Sequence, residues 1–406
     1  MKRILILSAS HLCRNPRVLK EATALGNAGY EVTVLTVSWL PAYRNLDLDL
    51  VQGLPFHLQT VDFTDRSPRA RILAMGWRAR TRVARTLVRR FGWELPTALG
   101  PAGTLLRRAR DIPSDLVIAH TELPLWIADR LIAEGRRVGV DLEDWHSEDL
   151  LPEDRQHRPV KLLQRVESSV LRRAACAFTT SEAMADALAG NYGCPRPVVI
   201  RNVFPLQPVS RIDRASHPGP VNFIWFSQTL GPGRGLEEFL ELWSRTTVPS
   251  AVHLLGESRD GYFQKLTSPL EPAQRHRIFN HSAVPPADLP RRLADFDIGL
   301  ALELRQPRSR ELTITNKLFQ YLNAGLAVVA TDTIGQREIM ERIPPAGLCL
   351  ADSDRQNKVK QLDAFLADPG RIHTAQMAAR AAAEREYCWE KEQGRLLEAV
   401  ARALRQ

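Results

Sequence analysis

No stretch of this 406-residue sequence approaches the run of roughly 20 apolar residues that a membrane span needs. The opening run MKRILILSAS is too short for the apolar region of a secretory signal and reads as a first strand. Cysteine is scarce: Cys13, Cys176, Cys194, Cys349 and Cys388 are scattered and include no C-x-x-C pair. That argues against a disulfide framework or a zinc site and suits a reducing cytosol. Walker loops, Gly-x-Ser-x-Gly elbows, His-Glu-x-x-His helices and metal-ligand spacings are all absent. The glycine-rich turn Gly231–Gly235, reading GPGRG, lacks G-x-G-x-x-G spacing and gives little support to dinucleotide binding. Acids are nearly missing from one region. Residues 66–110 hold twelve arginines and a single acid, Glu94, so the net charge of +9 belongs to that segment and the rest of the chain is near neutral.

What remains is ordinary globular composition at a length that suits two domains. Arg3–Ser8 reads as a strand and Ser8–Asn15 as a polar loop. Pro16 opens a helix to about Ala28, and Glu31–Val37 is the next strand. This opening implies a doubly wound α/β sheet. Further strands are expected at Leu54–Val61, Asp115–Ala119, Gly139–Leu142, Ala177–Thr180 and Val198–Ile200. Four prolines in residues 201–220 mark a linker, after which the pattern restarts. Strands are expected at Val221–Phe226, Ala251–Leu255, Arg277–Asn280, Ile298–Leu302 and Ala346–Leu350, with a helix over Pro286–Ala294 and a helical end from about 353 to 404. The divisions are 1–203, a linker at 204–220, 221–385, and a final helix at 386–406 that returns to the first domain.

Thr315–Glu338 is the most informative stretch: a capped helix, a stop at Gly325, a buried strand over Leu326–Ala330 and a second helix start. A helix N-terminus carrying Lys317 is an anion site, because free N–H groups and the dipole add to the ammonium charge. Asn316, Gln320 and Asn323 form a polar stripe on the same helix. Arg234 opens a helix behind a flexible turn, which also favours a phosphate, although a plain turn with an exposed arginine would read the same way. His120 ends a strand at the sheet edge where open α/β sheets bind ligands. Asp141, Glu143 and His146 follow the next strand, where they either meet a hydroxylated acceptor and steer a proton or simply cap a polar loop. Ala70–Phe91 reads as an amphipathic helix. Leu73, Trp77, Ala84, Leu87 and Phe91 share one face, and Arg71, Arg78, Arg82, Arg85 and Arg89 line another. This suits an anionic membrane surface or a lipid-diphosphate acceptor, or a packed helix with a solvated arginine face. Nucleic-acid binding is disfavoured, since no matching motif accompanies the arginines.

Taken in order, these segments resemble the GT-B glycosyltransferases, and within them the retaining family 4. The resemblance rests on Asn15–Leu35, Asp115–His120, Asp141–Asp144, Val284–Leu302, Thr315–Asp332 and Tyr387–Glu390. It implies two Rossmann-like domains facing across a cleft, and transfer of a sugar from a nucleotide-diphosphate sugar with retained configuration. No metal and no cofactor are implied. Arg234, Thr315, Asn316, Lys317 and Glu338 would serve the donor. Gln320 stands where the family usually has a ribose-binding glutamate. The family's other glutamate falls at Leu312, with Glu311 one position away as its substitute. His120 would meet the donor sugar. Arg14, Asn15, Arg17, Asp141, Glu143 and His146 would lie on the acceptor side. The resemblance further implies a cytoplasmic enzyme, peripheral at the inner membrane face through residues 66–110, acting on a saccharide or lipid-linked acceptor in surface polysaccharide or glycolipid synthesis. A nucleotide-sugar epimerase of the same fold and a nucleotide-sugar-binding protein without turnover are the alternatives.

Overall fold

The apolar runs pair as two separate sheets in which every strand pairing is parallel. The computed structural model describes the chain except residues 66, 209–218, 286, 352–353 and 406 and the side chains of 68–71, 73 and 154. The chain divides into two compact units: Met1–Ile200 together with Gln393–Gln406, and Arg201–Glu392. Most of the expected linker, the start of the Pro286 helix, and the side chains of Arg71 and Leu73 fall outside the described residues.

The first unit runs β1 (Arg3–Leu7), α1 (Pro16–Asn27), β2 (Glu31–Ser38), α2 (Pro41–Leu50), β3 (His57–Asp62), α3 (Pro68–Phe91), α4 (Ala102–Asp111), β4 (Leu116–His120) and α5 (Glu122–Ala133). It continues with β5 (Val138–Leu142), α6 (Pro152–Arg155), α7 (Val160–Arg173), β6 (Cys176–Thr179), α8 (Glu182–Tyr192) and β7 (Val198–Val199). The strand order is β3-β2-β1-β4-β5-β6-β7, a doubly wound, Rossmann-like sheet. Ile4, Leu5, Ile6 and Leu7 are all buried, because helices cover both faces of a parallel sheet. The order reverses between β1 and β4, so the carboxyl ends of those strands frame the crevice where such sheets take ligands.

The second unit runs β8 (Val221–Leu230), α9 (Leu236–Trp243), β9 (Ser250–Ser258), α10 (Tyr262–Thr267), α11 (Pro272–Arg275), β10 (Ile278–His281), α12 (Leu289–Leu293), β11 (Ile298–Ala301) and α13 (Arg308–Leu312). Then come α14 (Asn316–Ala324), β12 (Ala327–Thr331), α15 (Ile334–Met340), β13 (Gly347–Leu350), α16 (Arg355–Leu366) and α17 (Pro369–Arg385). The last helix, α18 (Trp389–Arg405), starts in this unit and belongs to the first from Gln393 onward. Its order, β10-β9-β8-β11-β12-β13, repeats the winding of the first sheet. Phe223, Trp225, Phe239, Trp243 and Phe365 are buried in its main core.

Two helices lie where no element is expected from the sequence, and one expectation is corrected. Pro41–Leu50 is a helix although its LDLDL ending alternates like a strand; the alternation is idle because Leu46, Leu48 and Leu50 are all exposed. Ala102–Asp111 is a helix hidden in the sequence by its arginines. On α3 the buried stripe is Ala74, Thr81, Ala84 and Val88, not one that includes Phe91, which is exposed. Small residues win that face because Ala84 and Val88 pack closely on Ala98.

The lie of α14 depends on a missing side chain. A Cβ added to Gly299 of β11 would sit 2.1 Å from Cγ of Tyr321. The bare strand lets the Tyr321 ring lie flush, and its hydroxyl donates to the Leu300 carbonyl at 3.2 Å. Gly299→Ala should therefore destabilise the protein by about 1–3 kcal/mol through overpacking. Urea unfolding would measure it; an unchanged midpoint would show that α14 is not held this way.

Candidate active site

In the first unit, Asn15 caps α1 by accepting from the Val18 N–H at 3.1 Å. This aims the first turn of α1 at the carboxyl ends of β4 and β5. Arg17 is fully buried there. Its Nε donates to Asp141 Oδ2 at 2.7 Å and lies 3.2 Å from Glu21 Oε1, and its Nη1 donates to the Ile200 carbonyl at 2.7 Å. His120 is also fully buried, with Nε2 3.1 Å from Glu21 Oε2 and Nδ1 3.8 Å from Asp141 and 3.9 Å from Glu143. Neither ring nitrogen makes a hydrogen bond among the described residues.

Burial opposes the imidazolium, but the Glu21 and Asp141 carboxylates outweigh it and raise the His120 pKa to about 10. Burial, then Asp141, raises Glu21 to about 7. Asp141 stays below the usual range: burial works against its charge, but Arg17 and His120 outweigh that. Burial and then Arg17 lower Lys20 to about 7. Burial also lowers His146 to about 4, and its Nε2 has no partner among the described residues. Glu21, His120 and Asp141 are ligand types within 4.8 Å of one another. Their negative charge is already met by Arg17 and a protonated His120. The exposed Arg14 donates to the Tyr43 hydroxyl at 3.0 Å. The structure thus gathers Asn15, Arg17, His120, Asp141, Glu143 and His146, but Arg17, His120 and Asp141 have no exposed surface.

In the second unit, Thr315 takes the cap position of α14 without a side-chain bond to it, so the expected hydroxyl cap is not formed. Asn316 is exposed. Lys317 is nearly buried; its Nζ lies 3.8 Å from Glu303 Oε1 and 5.3 Å from the centroid of Trp225. Burial lowers its pKa, and the charges of Arg234 and Arg310 push the same way. Arg310 Nη1 donates to the Gly233 carbonyl at 2.8 Å, pinning the glycine turn beside Arg234. Three cations therefore converge near the first turn of α14, against one carboxylate. A cavity of about 500 Å³ opens at the carboxyl ends of β11 and β12. Glu303, Thr331 and Asp332 line it; Lys317 and Arg234 do not, and Glu303 is the link.

The remaining predicted residues are placed differently. Glu311 accepts from the Ile334 N–H at the start of α15, 3.3 Å away, and burial raises its pKa. Leu312 is buried. Gln320 is buried with no hydrogen-bond partner among the described residues. Glu338 accepts from Arg201 Nη2 at 3.2 Å and is engaged within its own unit.

Two family models match the chain, one after the other. Residues 15–202 match a "Glycosyl transferase 4-like domain", and residues 234–398 a "Glycosyl transferase-like" domain. The chain belongs to the GT-B glycosyltransferases. Among solved structures, this glycosyltransferase is similar to Anabaena Alr3699/HepE in complex with UDP and glucose, with a TM-score of 0.68 and 17% identity over 99% of this chain and 100% of that one. Sucrose-phosphate synthase from Thermosynechococcus elongatus matches with a TM-score of 0.66 and 12% identity, covering 99% and 98%. WaaG, a glycosyltransferase involved in lipopolysaccharide biosynthesis, matches with a TM-score of 0.61 and 12% identity, covering 96% and 98%. No curated protein matches the sequence.

Sequence reasoning missed Lys20, Glu21, Trp225, Glu303 and Arg310. Glu21 had a signal, four residues after Arg17 on one helix face. Glu303 had another, just past the carboxyl end of β11. Arg310 had none, because its partner is a backbone carbonyl far away in sequence.

The His120 shift sets a sign. Its folded pKa is raised, so its contribution to stability is fully present below the unfolded value of 6.5 and is lost as pH rises toward about 10. Lys20, with its lowered pKa, acts oppositely above pH 7. The test is therefore a difference. His120→Gln should cost more stability at pH 6 than at pH 9.5 in paired urea titrations; an equal cost would mean His120 is neutral in the folded unit.

Proposed function

We propose that this glycosyltransferase moves a sugar from a nucleotide-diphosphate sugar to a saccharide or lipid-linked acceptor, with retained configuration and without a metal. The observation that carries the donor class is the nearly buried Lys317 in the first turn of α14, with Arg234 and Arg310 close by. A buried ammonium is costly, and a diphosphate offers the charge it needs together with acceptors for the free N–H groups of the helix. The same charges would stabilise the leaving nucleotide as the glycosidic bond breaks. HepE solved with UDP, with UDP-glucose, and with UDP and glucose supports this donor class. WaaG's part in lipopolysaccharide biosynthesis supports surface polysaccharide or glycolipid synthesis. No helix among the described residues is long and apolar enough to cross a membrane. We propose a cytoplasmic location with peripheral docking on the anionic inner face of the membrane through the arginine segment, a reading that its charge and exposed apolar residues support.

Gln320 favours a second reading, a nucleotide-sugar-binding protein without turnover, because an amide holds a ribose hydroxyl less strongly than a carboxylate. A thermal-shift screen of nucleotide sugars followed by transfer assays separates the two, since binding stabilises the native state in either case. Lys317→Ala should lower donor use about 100-fold or more. Near-normal transfer by that variant would remove the diphosphate role.

A further inference from the structure

The long helix α3 carries a site that the donor chemistry does not use. Arg78, Arg82, Arg85 and Arg89 recur along one face, and a cavity of about 450 Å³ lies against them. Trp77, Thr81, Thr86 and His157 complete its lining, with no carboxylate among the described residues there. Arg78, Arg82 and Arg89 have no ion pair or hydrogen bond among the described residues, while Arg85 donates through Nε to the Ala98 carbonyl at 3.0 Å. The deciding residue is Thr81. It is 5% exposed, and its buried Oγ1 has no partner among the described residues. A helical threonine ordinarily returns its hydroxyl to the preceding turn, as Thr86 does to the Arg82 carbonyl at 3.0 Å. Thr81 borders the cavity instead, with its hydroxyl beneath the surface and its donor unspent among the described residues. Behind it, burial and Arg85 lower the Arg158 pKa to about 10, although Arg158 is paired with Glu122. Positive charge is crowded here, and Arg78, Arg82 and Arg89 have no carboxylate against them among the described residues.

The ligand class follows from the donors. Guanidinium groups bind phosphoryl oxygens in pairs, and a hydroxyl adds one further donor. The arginines extend over twelve residues, a rise of about 16 Å along the helix, which exceeds a single phosphate. Beside them Ile72, Met75 and Val83 are all exposed, an apolar stripe at helical spacing. We propose that this cavity seats the diphosphate group of a lipid-linked acceptor, with Thr81 and the arginines on the phosphoryl oxygens and the apolar stripe along the hydrocarbon. The assignment rests on the glycosyltransferase reading above, since an acceptor presupposes transfer.

The test uses the full chain with Lys317→Ala, so that phosphate recognition near α14 does not enter the readout. Inorganic pyrophosphate is titrated by calorimetry. Affinity should fall about tenfold or more, one strong contact's worth, on adding Arg82→Ala with Arg89→Ala, and again with Thr81→Val alone. The two arginines are exposed and the threonine change preserves shape, so folding is retained. Phosphatidylcholine vesicles doped with a polyprenyl diphosphate should retain the protein more strongly than vesicles of equal charge made with phosphatidylglycerol, and free pyrophosphate should release it. Unchanged pyrophosphate affinity in the variants would overturn the site. Pyrophosphate binding without preference between vesicles would overturn the lipid-linked source. Nucleotide-sugar binding by the unaltered protein is measured separately; its failure would remove the transferase reading and leave the pyrophosphate result standing.

Discussion

Arg17 lies wholly inside the first unit, 2.7 Å from Asp141, 3.2 Å from Glu21 and 2.7 Å from the Ile200 carbonyl. A charge taken out of water is tolerated only when partners repay its hydration. Those partners come from α1, from β5 and from the segment just after β7, so one guanidinium fixes three elements at once. His120 completes the balance from the end of β4. Its proton is held because two carboxylates need more cation than Arg17 alone supplies. The crevice beside the strand reversal is therefore built on a closed set of charges, and a change at any member disturbs the others.

The second unit solves the same problem with fewer charges. Lys317 rests on the Trp225 ring and near a single carboxylate, Glu303. A π face stabilises an ammonium without neutralising it. Arg310 ties the glycine turn to the same corner through a backbone carbonyl. The flush packing of Tyr321 on Gly299 fixes the height of α14 above the sheet and hence the place of Lys317.

Much of this was legible beforehand, for physical reasons. Strands such as Ile4–Leu7 announce themselves because both faces are buried, so no polar residue interrupts the run. The second winding was legible because Val221–Leu230 restarts the order of the first. Lys317 was legible because a helix start and a lysine are adjacent in sequence. Glu303 and Trp225 were not, since nothing local binds them to Lys317. The hydroxyl cap expected of Thr315 does not form, because residue type marks a cap position without fixing the rotamer. Asn323 reads as part of a polar stripe on α14 with Asn316 and Gln320. It bonds Gln207 N and Pro205 O instead, at 3.1 and 2.7 Å, bracketing the chain as it enters the second unit.

The burial of Lys317 couples recognition to protons. Its charged form is disfavoured while the corner holds only cations, Trp225 and Glu303. An arriving anion shifts that balance toward the ammonium, so in alkaline solution anion capture and proton uptake become one event. The measured heat of binding would then carry the ionisation heat of the buffer, and the affinity would fade with rising pH even though the anion's own charge did not change.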